Sequence, residues 1–179
     1  MNEKENTKFP SSHILLEMAK DEYTKERERA NALDNKASFF ITVLVAVVTI
    51  FVPIIPFGKI ISVFSSGACW RKCIMSVSLV ALVVAFFLLK DAFAKLYDAY
   101  KLTDYKRPSL DAIPDAQFHI ANEDQIYKGL CDHYKTVVDD NVEVNNKKCQ
   151  SITDGIKQSG KGFLVLIVAA ICLQVVVGG

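Results

Sequence analysis

The residues best equipped for chemistry lie in one short stretch, YDAYKLTDYKRP. There Tyr97, Tyr100 and Tyr105 interleave with Lys101, Lys106 and Arg107. Aromatic faces stack on bases and cations hold phosphate oxygens, so this interleaving suits a nucleotide or oligonucleotide. Tyr97, Lys101, Tyr105, Lys106 and Arg107 are therefore the candidate ligand contacts. The basic, aromatic flank of a membrane span has the same composition, and that reading stays open beside the first. A second group, Ser38, Thr42, Ala46, Thr49 and Pro53, recurs at steps of 4, 4, 3 and 4 within an apolar run. Such steps put all five on one helical face. Ser38, Thr42 and Thr49 either line a water-filled pore in an oligomer or permit close helix packing, with the hydroxyls bonded back to their own helix. Just ahead of them, Asp34 and Lys36 are two residues apart and cannot face each other on a helix. With Lys90, Asp91 and Lys161 they border the apolar runs. They form either a collar of cross-helix ion pairs coupled to a gate or a set of snorkelling anchors.

Enzyme chemistry has little to build on. The chain has no glycine-rich phosphate loop, no HExxH, no nucleophile elbow and no metal-spaced carboxylate set. The three histidines, His13, His119 and His133, are far apart in sequence. Of five cysteines only Cys69 and Cys73 are close, in GACWRKC, and two thiols four apart do not supply the four converging ligands of a zinc site. They form a disulfide on an oxidising side or remain free thiols. A formal net charge of +1 offers no bulk attraction for nucleic acid, so no duplex DNA binding is expected. The expectation is a non-enzyme without metal or resident cofactor.

The elements that must position these residues are set by three apolar runs. ASFFITVLVAVVTIFVPIIPFG follows Lys36, CIMSVSLVALVVAFFLL follows Lys72, and GFLVLIVAAICLQVVVGG follows Lys161. Crossing a bilayer core takes roughly 20 apolar residues. The first run meets that, the second just reaches it, and the third is short and carries the polar Gln174. Buried core helices of a soluble domain are the alternative. The first run follows a long segment dense in both signs of charge, so it reads as a span and not as a secretion signal. The expected division is an N-terminal helix 1–36, spans at 37–58, 73–89 and 162–179, a short loop 59–72, and a helical sensor region 90–161. Lys and Arg number seven in residues 1–36, three in the first loop and eleven in 90–161. The positive-inside rule then places the N-terminus and the long region in the cytoplasm.

Periodicity fills in the rest. Ser11 or Ser12 can cap a helix that nothing breaks before Pro53. Beyond the second run, Phe86, Leu89, Phe93, Leu96 and Tyr100 step by 3, 4, 3 and 4, a heptad-like stripe. Asn122 can start a further helix carrying Ile126, Leu130, Tyr134 and Val137, with Gly155, Gly160 and Gly162 as soft points. Ser78, Ala81 and Ala85 read as a packing face, and Gln174 must face protein or a pore. The expected fold is an all-α integral membrane protein: three transmembrane helices whose extensions pack into a cytoplasmic bundle.

The run RANALDNKASFF resembles the approach to the first span in small membrane effectors of bacterial nucleotide-signalled antiphage systems, the Pycsar, CBASS and Hailong-type effectors. Their aspartate–x–lysine–alanine element maps onto Asp34, Lys36 and Ala37, and Lys147, Lys148 and Lys161 fall in the lysine-containing helix before the final span. The resemblance implies a homo-oligomer, with a tetramer favoured, in the bacterial inner membrane. It would sense a nucleotide or oligonucleotide made by a partner nucleotidyltransferase and permeabilise the membrane. Two alternatives stand beside it: a membrane scaffold that recruits a cytoplasmic partner protein, and a holin-like toxin.

Overall fold

The computed structural model describes residues 11–101, 105–109 and 122–178. All its regular structure is α-helical: α1 (Ser12–Ile54), α2 (Phe57–Ser66), α3 (Cys69–Lys101) and α4 (Glu123–Gly178). α1, α3 and α4 are each long and apolar enough to cross a membrane. The 59–72 segment, expected as a plain loop, contains most of α2. Pro53 sits in the last turn of α1, where its missing N–H and ring end the helix one residue later. The described residues fold as two units, 11–33 with 105–109 and 122–147, and 34–101 with 148–178.

In the first unit the N-terminal part of α1 runs parallel to the start of α4, because contacts climb both helices together. The Ser12 hydroxyl donates to Asp124 at 3.4 Å, so it is spent across the pair and does not cap its own helix. His13 meets the Tyr127 ring edge-on, Tyr23 meets Tyr134, and Arg29 donates to Asn146 at 2.8 Å. Leu16, Ala19, Ala30, Val137 and Val138 form the apolar part of this interface. Two of the three helical extensions, those of α1 and α4, pack together in this unit. The overrun of α3 beyond Leu89 belongs to the second unit.

In the second unit α3 lies antiparallel to α4, with Leu96 against Gly155 and Leu89 against Gly162. A heptad-like step governs both surfaces. α3 buries Met75, Ser78, Ala85, Leu89, Ala92, Leu96 and Ala99, and α4 buries Lys148, Ile152, Gly155, Ser159, Gly162, Leu166, Ala169, Leu173 and Val176. These intervals of three and four residues are those of knobs-into-holes packing. The expected α3 stripe is thus off by one position on its aromatic side. Leu89 and Leu96 are buried, but the rings of Phe86, Phe93 and Tyr100 stay exposed, and alanines take the inner places. Only small residues fit there, because a Cβ on Gly162 would lie 2.7 Å from Leu89 Cδ2 and one on Gly155 would lie 2.8 Å from Leu96 Cγ. Gly155 and Gly162 are therefore points of close approach and not soft points; at Gly160 a Cβ would meet nothing.

α2 closes the end of this unit. Ile60 and Val63 pack on the buried Met75, Leu173 and Val176. Nearby, Gln174 Nε2 donates to the Ile54 carbonyl at 2.8 Å, satisfying a backbone group freed at the end of α1. Gln174 is itself exposed, but its Nε2 meets this protein carbonyl, as the cost of a bare amide in hydrocarbon requires.

Candidate functional site

Asp34 and Ala37 lie three residues apart on α1 and face inward together, with Ala37 fully buried. Lys36 points the other way and is exposed. Lys148 of α4 reaches Asp34: its Nζ donates to Oδ1 at 2.7 Å. The lysine side chain is only 4% exposed, whereas the aspartate is 37% exposed. Of the two readings of the boundary charges, Asp34 follows the cross-helix ion pair, and its partner is neither Lys90 nor Lys161. An ammonium this deeply buried is tolerable only with a carboxylate beside it. The pair thus fixes the rotation of α1 against α4 just ahead of the apolar run of α1.

Ser38, Thr42, Ala46 and Thr49 follow on an outer face of α1, all exposed. Thr42 donates to the Ser38 carbonyl at 3.0 Å and Thr49 to the Val45 carbonyl at 2.8 Å. With their hydroxyls satisfied within the helix, these side chains can face either lipid, another copy or water. Val48, on the far side, packs against Ala85, Leu89 and Leu166. Of the expected packing face, Ser78 and Ala85 are buried and Ala81 is half-buried.

The five candidate ligand contacts divide between the units. In the second, Tyr97 stacks on Phe93 with ring planes 9° apart, and Lys101 is exposed in the last turn of α3, where a cation answers the helix dipole. In the first, the backbone of Lys106 is clamped by Asn141, whose amide donates to the Lys106 carbonyl at 3.0 Å and accepts from its N–H at 2.9 Å. Lys106 Nζ pairs with Asp140 at 2.7 Å, and this contact holds the ammonium above its ordinary pKa. The Tyr105 ring tilts against Tyr23. Its hydroxyl is buried with no well-formed hydrogen bond, and burial, aided by Tyr23 and Glu26 and opposed by Arg27 and the nearby Asn141 amide, pushes its pKa up to about 12. Arg107 remains exposed. Of the ligand contacts expected from the sequence, Lys106 is held against α4 and Tyr105 against Tyr23 of α1.

The polar heart of the first unit was not anticipated. Asn145, fully buried, donates through Nδ2 to the Glu26 carbonyl at 3.0 Å and to its carboxylate at 2.8 Å. Its own Oδ1 is without a partner. Asn145 and Glu26 are 119 residues apart, Asn141 and Lys106 are 35 apart, and no local motif announces either pairing. Two neighbouring side chains of α4 are also engaged: Tyr134 packs on Tyr23, and His133 Nε2 accepts from the Ser109 N–H at 3.2 Å. All five cysteines are free thiols, including Cys69 and Cys73.

These features define the class: an all-α chain with three long apolar helices, an ion pair between α1 and α4, and a hydrogen-bonded polar core in its other unit. Comparison with protein-family models, curated proteins and solved structures finds no match to this chain.

Proposed function

We propose that this chain is a membrane effector of nucleotide-signalled antiphage defence, assembling into an oligomeric ion channel or pore in the bacterial inner membrane. The N-terminus lies in the cytoplasm, and the signal is a nucleotide or oligonucleotide supplied by a partner nucleotidyltransferase. One observation carries the reading. The aspartate of the Asp34-x-Lys36-Ala37 element is joined to Lys148, a member of the lysine-containing helix before the last apolar run. The two parts of the sequence that carry the resemblance meet in one contact. Only 11% of the apolar window of α1 is buried within the chain, which leaves most of that surface for lipid or further copies. A homo-oligomer, with a tetramer favoured, would use it.

The test is current through the full chain reconstituted in planar bilayers, with cyclic mononucleotides and cyclic oligonucleotides added one at a time. Ligand-dependent steps in current support the reading. A chain that inserts and assembles yet conducts with none of them, and without them, counts against a pore.

A scaffold keeps one observation in its favour. Ile14, Leu15 and Met18 on α1 are all more than half exposed, an apolar patch outside the apolar runs. Such a patch suits docking of a protein partner. Loss of defence on mutation of this patch, in a chain that conducts normally, would favour recruitment.

A further inference from the structure

A groove of about 650 Å³ runs along the second unit between α1 and α3. Leu44, Val48 and Phe51 form one wall, Leu82 and Phe86 the other, and Leu166 of α4 the floor. Thr49 also lines it, but its hydroxyl is spent on the Val45 carbonyl. On the α3 side it extends from Leu79 to Phe93, fourteen residues or about 21 Å of helix. That exceeds half of a bilayer core about 30 Å thick. The groove is therefore long enough for the acyl chain of one leaflet.

One charge lines it. Lys90 sits beside Phe93 at the end away from Ile55 and Phe57, exposed, and among the described residues it has no ion-pair partner. A second copy of the chain would have to bring an acid to this place. The acids next to the first and second apolar runs are already committed, Asp34 to Lys148 and Asp91 to Lys95, and the acid nearest the third, Asp154, stands eight residues before it. A phospholipid brings what the groove lacks, an apolar chain joined to an anion at the membrane boundary. By the positive-inside reading Lys90 is at the cytoplasmic face, where anionic lipid attracts basic side chains.

We propose that this groove seats an acyl chain of an anionic phospholipid whose headgroup phosphate rests on Lys90. The proposal rests on the reading of the chain as membrane-embedded, and it is independent of the nucleotide signal. It adds a lipid site that would tie packing of α1 against α3 to the composition of the surrounding leaflet.

The test uses the full chain in mild detergent with equal amounts of phosphatidylglycerol and phosphatidylcholine of matched chains, and counts retained lipid by native mass spectrometry. One favourable cation near an anionic headgroup predicts retention of phosphatidylglycerol about fivefold over phosphatidylcholine. Lys90→Gln should bring that ratio toward one, while Lys157→Gln, exposed and outside the groove, should keep it. Val83→Trp, which fills the groove from its wall, should reduce retention of both lipids. Equal retention by the native chain, or an unchanged preference in Lys90→Gln, overturns the proposal, as does full lipid retention by Val83→Trp. Extraction of the chain from cell membranes by alkaline carbonate would overturn the membrane reading, and this proposal with it. A chain that resists carbonate but shows no lipid preference overturns this proposal alone.

Discussion

Lys148 and Asp34 share one ion pair but not one environment: the ammonium is buried while the carboxylate is partly open, at 37% exposure. Removing either partner therefore has unequal consequences. Asp34→Asn strands a buried positive charge and should destabilise the fold by about 3 kcal/mol, the low end for breaking a buried pair. Lys148→Met leaves a carboxylate that can turn to solvent and fills the vacated space with an apolar chain, so its cost should be small. The double variant should be more stable than Asp34→Asn alone. Thermal unfolding in mild detergent measures all three, and equal losses from the two single variants would mean that the pair is solvated from both sides.

The glycines of α4 should respond in opposite directions. At Gly160 a methyl group meets open space, so Gly160→Ala should stabilise the helix by up to about 1 kcal/mol through propensity. At Gly162 the same methyl would press on the Leu89 side chain and lie 3.3 Å from its backbone nitrogen. Gly162→Ala should destabilise by about 1–3 kcal/mol, as overpacking does. Parallel melting curves decide, and a stabilising Gly162→Ala would show that α3 and α4 are not in close contact there.

What the sequence revealed depended on the kind of signal each element carries. The three apolar runs announced α1, α3 and α4 because length and lack of charge suffice to mark a span. The face by which α4 packs was not legible. Its inner positions include Asn141 and Asn145 in one unit and Lys148, Gly155, Ser159 and Gly162 in the other, and none registers as hydrophobic periodicity. On α3 the spacing admitted two stripes sharing Leu89 and Leu96. The structure takes the one completed by Ala85, Ala92 and Ala99, because only methyl-sized neighbours let α4 approach so closely. The aromatic–basic stretch looked like an exposed site because nothing near it in sequence reveals that Asn141, 35 residues on, binds the Lys106 backbone. The Asp34 pair lay between these cases: the need for a cross-helix partner was legible, and the choice of Lys148 was not.

Tyr105 makes the fold sensitive to alkali. Its pKa is about 12 in the folded chain, against 10 for an ordinary tyrosine. Below pH 10 the hydroxyl is neutral in both folded and unfolded states, and its contribution is fully present. Between 10 and 12 the unfolded state releases the proton and the folded state does not, so stability falls as pH rises through that window. Tyr105→Phe should flatten the fall and remove a late step from the ultraviolet titration of the tyrosines. An unchanged titration would mean that the hydroxyl reaches water.

Conduction, if α1 lines the path, should depend on Thr42 and Thr49 more than on their neighbours. Both are exposed, and each bonds back to its own helix, so replacement by leucine breaks no contact within the chain. In a pore the added bulk would narrow and dry the path, because apolar constrictions gate by dewetting. Thr42→Leu and Thr49→Leu should each cut single-channel current severalfold without altering the amount of inserted protein. Val43→Leu, half-buried and off the stripe, should leave current near its native value. Val48 cannot serve as a control, since it packs against Ala85, Leu89 and Leu166 and any enlargement there disturbs the fold itself. Thr49 also borders the groove, so Thr42→Leu is the cleaner of the two variants. If Thr42→Leu conducts like Val43→Leu, the small-residue stripe is a packing seam, and any water path lies on another helix.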